Sequence, residues 1–352
     1  MIPLAEVLRR HWPEYERQFG TQLLPSHRAA VAAIIHCRTA ALGGEVFACP
    51  QCQRMHWVYH SCHHRACPQC DQAEAAAWSA RQKLKLLPGA YYLITFTVPE
   101  GLRAWLRSHQ QLGYALLLRE SAATLQDVAS RDKYLGAQLG CLSVLHTWGR
   151  QLQFHPHVHC VVPGGGLRAD GLRWCQPQTP DFFLPQIVLA ARFRSRLKAA
   201  LLAQPEGAQI PATVWRQNWV VDVQPAGNGE RAIGYLSAYV YHTALGSQRI
   251  LQDEQGQITF NYKDSEDQSW HTLTVSAQEF IRRFLQHVLP KGFQRVRYYG
   301  WLSAAAKTRW ERILALLDWK PPAASPDGSE PILCPHCGQP LRWLGTFSRA
   351  PP

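Results

Sequence analysis

The chain has 352 residues, 46% of them hydrophobic, enough for one large domain or two to three smaller ones with a sizeable core, which excludes a disordered protein. Its net charge is +12 with a pI near 9.3, and the basic residues are spread along the chain, so a phosphate-bearing partner is the first expectation. The first residues carry no secretory pattern and no apolar run reaches the roughly 18 residues of a membrane helix, which predicts a cytoplasmic protein without a membrane partner.

Residues 1–36 read as helical, with Ser26 as the N-cap of the apolar run Ala29 to Ile35. Cys49-Pro50-Gln51-Cys52 and Cys67-Pro68-Gln69-Cys70 then repeat one turn, with 14 residues between the copies. In a reducing compartment this is the spacing of a zinc ribbon, in which each Cys-x-x-Cys turn gives two thiolates to a tetrahedral ion. Cys37 and Cys62, with His36, His56, His63 and His64 nearby, supply enough ligands for a second site, and which four share an ion stays open. Glu74 to Leu87 is an Ala-rich helix ending at Pro88-Gly89, and Tyr91 to Val98 is a buried strand that opens a new domain.

Leu102 to about Ser130 carries helical spacing, and Leu139 to Leu145 is a second strand, followed by His146-Thr147-Trp148-Gly149. The stretch Phe154-His155-Pro156-His157-Val158-His159-Cys160-Val161-Val162 sets three histidines at spacing two. On a strand His155, His157 and His159 share one face while Val158 and Cys160 point into the core, and three imidazoles on a sheet face suggest a metal. Pro156 cannot donate to a ladder, so regular pairing is expected from about His157. That makes His157 and His159 the firm pair and leaves His155 as third ligand, substrate contact or bystander. A cupin-type oxygenase also uses His-x-His on a strand but needs a carboxylate soon after, and Cys160 to Leu167 holds none.

Leu184 to Leu202 is a helix bearing Arg192, Arg194, Arg196 and Lys198, either a solvated face or a set of phosphate contacts. After the strand Trp219 to Val223, the helix Ala232 to Tyr241 puts Tyr235 and Tyr239 one turn apart on one face, a spacing that on its own means packing. Strands at Ile258 to Tyr262 and Leu273 to Val275 precede the capping box Ser276-Ala277-Gln278-Glu279, which opens a helix through His287. Arg282 and Arg283 lie on its outer side. Lys291, Arg295, Arg297, Tyr298, Tyr299 and Trp301 follow, interleaving bases and aromatics as a single-strand-binding surface does. A last helix spans Ser303 to Trp319, then a linker, then Cys334-Pro335-His336-Cys337, half a site that either borrows ligands or binds weakly.

The His155-Pro156-His157-Val158-His159 strand after Leu145-His146-Thr147-Trp148-Gly149, with Tyr235-x-x-x-Tyr239 downstream, resembles the HUH-type two-tyrosine transposases of rolling-circle insertion sequences, the IS91 type. Cys37-Arg38-Thr39 and Leu42-Gly43-Gly44 look like that family's N-terminal zinc-binding region, and Phe280 to Phe293 and Tyr299-Gly300 extend the match over roughly residues 30 to 340. The resemblance implies an α+β fold with an HUH endonuclease-like antiparallel sheet flanked by helices, preceded by a small zinc-ribbon-like domain. The implied domains are 1–88, helical, zinc-binding and DNA-binding; 89–320, catalytic; and 321–352, a linker and Cys-x-x-Cys tail.

It further implies Tyr235 and Tyr239 as nucleophiles that form a 5′-phosphotyrosine. The catalytic Mg²⁺ or Mn²⁺ would be held by His157 and His159, with His155 or a polar side chain such as Thr243 as third ligand. Structural Zn²⁺ would take Cys37, Cys49, Cys52, Cys62, Cys67 and Cys70, and DNA contacts would come from Arg192, Arg194, Arg282, Arg283, Arg295 and Arg297. The expected partners are single-stranded DNA and insertion-sequence end hairpins in the bacterial cytoplasm. A replication initiator or relaxase shares this chemistry, and the zinc block and Arg-rich C-terminal segment favour the transposase. A non-catalytic zinc-ribbon DNA-binding regulator is the alternative of another class, separated by nuclease activity on single-stranded DNA.

Overall fold

The computed structural model describes the backbone of all residues except 178, 180–182, 242–244, 265–266, 324–330 and 349–352, and the side chains of these except 71–73, 238–239, 241 and 247. In chain order the elements are α1 Leu4–Phe19, α2 Pro25–His36, β1 Gly44–Ala48, β2 Met55–Tyr59, α3 Asp71–Lys83, β3 Tyr91–Thr97, α4 Glu100–Ser108, α5 Gln110–Ala129, β4 Gly140–Trp148 and β5 Phe154–Pro163. There follow β6 Gly166–Leu167, β7 Trp174–Cys175, α6 Gln186–Leu202, β8 Val220–Pro225, α7 Glu230–Tyr241, β9 Ile250–Glu254, β10 Gln257–Lys263, β11 Trp270–Ser276, α8 Ala277–Leu285, β12 Val296–Gly300, α9 Lys307–Leu316 and β13 Arg342–Phe347. Contacts divide the chain into two compact units, Met1–Ala75 with Tyr241–Val288 and Ala324–Pro352, and Ala76–Val240 with Leu289–Ala323. The division thus differs from three consecutive domains, because the segment after α7 and the C-terminal hairpin both pack into the first unit.

The second unit holds a five-stranded sheet in the order β12-β4-β5-β3-β8, every neighbouring pair antiparallel. Alternation along each strand sorts its two faces. Ile94 and Phe96 of β3, Cys141 and Leu145 of β4, Val158, Cys160 and Val162 of β5 and Val221 of β8 form one core with Leu102 and Leu106 of α4, Leu117 and Leu125 of α5, and Phe193 and Leu197 of α6. The opposite face therefore carries the odd-numbered residues of β5, histidines included. The expected helix from Leu102 to Ser130 is broken at His109 (φ −120°, ψ 49°), and α5 folds back on α4. Gly113 permits that corner, since a Cβ there would stand 2.6 Å from a methyl of Leu106.

In the first unit β13-β1-β2 form an antiparallel sheet, and β11-β10-β9 form another beside α8. The Ser276 hydroxyl accepts from the Glu279 amide at 3.2 Å, capping α8 as expected. Ser26 does not cap α2. Leu24 precedes the helix and Pro25 takes its first position, where a fixed φ and a missing N–H suit the geometry.

Candidate active site and metal centres

β4 runs three residues beyond the strand expected to end at Leu145, and this extension builds the site. His146 lies opposite His157 in the β4–β5 register, and a bulge after it lets the strand continue to Trp148. The ligand nitrogens of His146, His157 and His159 all lie within 4.8 Å of one another, with ring centroids 4.4 to 5.1 Å apart. His155, expected as a tentative third ligand, is not among them. It stands at the strand mouth, one pleat out, with its ring 5.2 Å from that of His157. Thr243, the other candidate, lies outside the described residues. Regular pairing of β5 with β3 ends at His157, as Pro156 predicts.

Two hydrogen bonds aim the rings. The backbone carbonyl of His155 can only accept, so His157 Nδ1 donates to it at 2.7 Å, and its Nε2 lone pair is left for a ligand. His159 Nδ1 meets the Thr95 hydroxyl at 2.9 Å, and the His146 ring stacks on Trp148 at 5.5 Å. Burial pushes the His157 imidazole down to about 4 and those of His146 and His159 well below their ordinary value. The cluster is therefore neutral at physiological pH, the state in which imidazole binds a metal. Three imidazoles form a donor set that fits a divalent first-row ion and leaves other positions open.

Arg103, on α4, adds positive potential, pushing His155 and His157 further down. Its Nε is buried and without a hydrogen-bond partner among the described residues. Asp222 of β8 lies opposite Thr95 on the same sheet face. Above this face, α7 presents Tyr235, 44% exposed, with its ring 5.8 Å from that of His159 and perpendicular to it. The Tyr239 side chain lies outside the described residues.

The cysteines gather into two groups of four, Cys37, Cys62, Cys67 and Cys70, and Cys49, Cys52, Cys334 and Cys337. The two Cys-Pro-Gln-Cys turns thus do not share one site, a correction to the simple ribbon spacing. The β1–β2 hairpin separates them: its open end lies beside Cys37, with Arg38 N–H on the His60 carbonyl at 3.1 Å, and Cys49 follows at the far end of five residues of strand, about 16 Å at 3.3 Å per residue. His36, His63 and His64 belong to neither group.

Of the arginines expected on DNA, Arg194 is exposed. Arg192 is paired with Asp127, and Glu279 engages both Arg282 (2.6 Å) and Arg283 (2.7 Å). Arg295 is buried, donating to the Val240 carbonyl at 3.2 Å, and Arg297 lies over the Phe293 ring. Sequence reasoning missed His146, Thr95 and Arg103. Only His146 had a signal, since it continues the period-two face of Leu142 and Val144.

Residues 140–309 match a family model described as "Putative transposase", and residues 7–98 match one described as "Transposase zinc-binding domain". The protein "Putative transposase y4qJ" of Sinorhizobium fredii (strain NBRC 101917 / NGR234) is 38% identical over 320 residues, covering 85% of this chain and 80% of its own. "Transposase for insertion sequence element IS801" of Pseudomonas savastanoi pv. phaseolicola is 27% identical over 290 residues, covering 78% of this chain and 69% of its own. No solved structure matches. The histidine cluster and Tyr235 fall inside the first matched region and Cys37 to Cys70 inside the second, whereas Cys334 and Cys337 lie outside both.

Proposed function

The chain belongs to the two-tyrosine transposase family of the IS91 type, and from that premise of a DNA-cleaving enzyme we propose that it cuts and rejoins single-stranded DNA at insertion-sequence ends through a 5′-phosphotyrosine, the chemistry of rolling-circle transposition. The observation that carries this reading is Tyr235 standing 5.8 Å from His159, beside three clustered, neutral imidazoles. A replication initiator or relaxase would share the histidines but has no need of the paired cysteine clusters. The catalytic domain expected over 89–320 corresponds in this proposal to the unit built on the five-stranded sheet.

His146, His157 and His159 would hold the divalent ion, Mg²⁺ or Mn²⁺, with Mn²⁺ the better match to imidazole and Mg²⁺ the more oxygen-seeking. When bound, that ion supplies Lewis-acid charge at the scissile phosphate. The protein residues do the rest. The Tyr235 oxygen attacks phosphorus, the bond from phosphorus to tyrosine oxygen forms as the bond to the 3′ oxygen breaks, the phenol proton leaves to solvent and the 3′ oxygen gains one. A free 3′-OH can then reverse the step at another end without ATP, because the phosphodiester energy is kept. Arg103 Nε would donate to a phosphate oxygen of the substrate, a charge-assisted bond stronger than a neutral one. Tyr239, one helical turn beyond Tyr235, would serve the second cleavage. The net charge of +12, with Arg194 among its exposed contributors, would supply affinity for single-stranded DNA and end hairpins.

The test is covalent capture. A suicide single-stranded oligonucleotide carrying the insertion-sequence end, incubated with protein and Mn²⁺, should yield an adduct whose mass-mapped linkage is Tyr235 or Tyr239. A linkage elsewhere, or none, rejects the mechanism.

A further inference from the structure

We propose that Cys49, Cys52, Cys334 and Cys337 form a second structural zinc site, a zinc ribbon assembled from the two ends of the chain. In sequence 281 residues lie between Cys52 and Cys334, and the C-terminal half lies beyond both regions matched to known families.

The two turns are copies of one backbone device. Cys49 N–H donates to the Arg54 carbonyl at 2.9 Å and Gln53 N–H to the Cys49 carbonyl at 2.9 Å. In the same pattern, Cys334 N–H donates to the Gln339 carbonyl at 2.8 Å and Gly338 N–H to the Cys334 carbonyl at 2.8 Å. The residue after the second cysteine is left-handed in both, Gln53 at φ 54° and Gly338 at φ 73°. A turn of this kind points two sulfurs to one side and turns amide N–H groups towards them, as Cys52 N–H does to Cys49 Sγ at 3.4 Å. The non-glycine Gln53 holds a conformation that L residues seldom adopt, so the turn is specified by more than local preference.

A shared sheet brings the halves together. β13 pairs with β1 from Gly44↔Phe347 to Ala48↔Arg342, and β1 pairs with β2 from Gly44↔Tyr59 to Ala48↔Met55. Both turns therefore hang from the same end of one three-stranded sheet. There Cys49 Sγ is 3.4 Å from Cys337 Sγ, and Cys52 Sγ is 3.7 Å from Cys334 Sγ. A disulfide would need about 2.05 Å. Sulfurs bound tetrahedrally at about 2.3 Å from zinc stand about 3.8 Å apart, so the observed spacings are those of a ligand tetrahedron. His56 Nε2 lies 3.5 Å from Cys334 Sγ, where an N–H would help to hold a thiolate. The site would close only when residue 337 is present, so the β1–β2 hairpin depends on the far end of the chain for its metal.

Cys337 makes the inference testable in the intact protein, because its side chain is exposed and an unligated thiol there would alkylate quickly. Full-length protein should carry two thiolate-bound metals per chain, read from the sulfur-to-cobalt charge-transfer absorption after Co²⁺ exchange. That absorption ignores any ion held by histidines alone. Iodoacetamide mapping by mass spectrometry should find Cys49, Cys52, Cys334 and Cys337 protected together and labelled together once prolonged treatment with a strong zinc chelator has stripped the metal. The C334S/C337S double variant should lose half of the charge-transfer absorption and expose Cys49 and Cys52, leaving Cys37, Cys62, Cys67 and Cys70 protected. Should that variant fail to fold, the wild-type measurements decide alone. One thiolate-bound metal per wild-type chain, or rapid labelling of Cys337 before chelation, overturns the proposal.

Discussion

Two kinds of ligand cluster sit in this molecule, and the difference between them lies in how many positions the protein fills. Each cysteine cluster brings four sulfurs together, the full complement of a tetrahedral ion, and a closed sphere has no place for a substrate. Among the described residues the histidine cluster brings together three imidazoles on a sheet face, with an arginine and a tyrosine nearby but outside the ligand set. Closed sites of this kind stabilise folds, whereas three-ligand sites leave room for chemistry. Under the function proposed above, the second unit would hold the reacting centre, while the cysteine clusters of the first fit metal held as architecture.

The largest effects should come from emptying the open cluster. His146→Ala, His157→Ala and His159→Ala are each expected to lower strand cleavage by about a thousandfold or more, since a Lewis-acid centre contributes several kcal/mol to a phosphoryl transition state. Filter binding of single-stranded DNA should change little, because dispersed cationic and aromatic contacts carry affinity. His155→Ala should stay within about tenfold of wild type, as a residue outside the ligand set. Equal losses for His155 and His146 in a gel-based cleavage assay would mean that the cluster has been drawn wrongly.

Next in size is the tyrosine pair. Tyr→Phe removes one oxygen with almost no change of shape, so the Y235F/Y239F double variant should form no covalent adduct with a suicide substrate while folding and binding normally. Each single variant should retain one adduct and lose complete transposition. Adduct formation by the double variant, seen on a denaturing gel, would move the nucleophile elsewhere.

Chelation compares the two kinds of site directly. A short exposure to EDTA should abolish cleavage, and added Mn²⁺ should restore it more fully than Mg²⁺, while zinc measured by mass spectrometry stays with the protein. Four-thiolate sites hold on, because apparent zinc affinities in small zinc domains correspond to about 10–16 kcal/mol of coupled folding. Cys67→Ser should accordingly reduce soluble yield and lower the thermal midpoint rather than change the rate per folded molecule. Loss of zinc and activity in parallel would erase the distinction.

How much of this was legible in the sequence follows the range of the signal. His157 and His159 were readable because alternation on a strand is local, and the Ser276 cap of α8 because its partner is three residues on. His146 was hidden by one residue: the strand was ended at Leu145 because Trp148-Gly149 looks like a turn, and the bulge that lets β4 continue has no sequence mark. The break at His109 was nearly silent, with neither Gly nor Pro next to it and only Gly113, four residues on, to permit the close approach of the two helices. The zinc partition could not be read at all, since nearness along the chain favours pairing Cys52 with Cys67, whereas hairpin length carries Cys49 and Cys52 away from Cys70 and towards a turn from the opposite terminus. The commitment of Arg192, Arg282 and Arg283 to carboxylates was invisible for the same reason in part, as Asp127 is distant in sequence although Glu279 is not.

The smallest expected effect sharpens the comparison most, because it concerns an aiming group rather than a ligand. Thr95 on β3 meets His159 Nδ1 at 2.9 Å, and a hydroxyl accepting from that nitrogen holds the Nε2 lone pair towards the cluster. Valine keeps the branched shape and removes the hydroxyl. Thr95→Val should therefore raise the Mn²⁺ concentration for half-maximal cleavage by about 10–100-fold, the usual cost of losing such a partner, while the rate at saturating Mn²⁺ stays close to wild type. Thr95→Ser restores the oxygen and should return the titration to its original midpoint, which a merely structural role for the side chain would not do. The thiolate-bound zinc content should be the same in all three proteins. An unshifted Mn²⁺ midpoint in Thr95→Val would show that the imidazole is held by packing alone, and a fall in saturating rate without a shift would assign Thr95 to the substrate rather than to the metal.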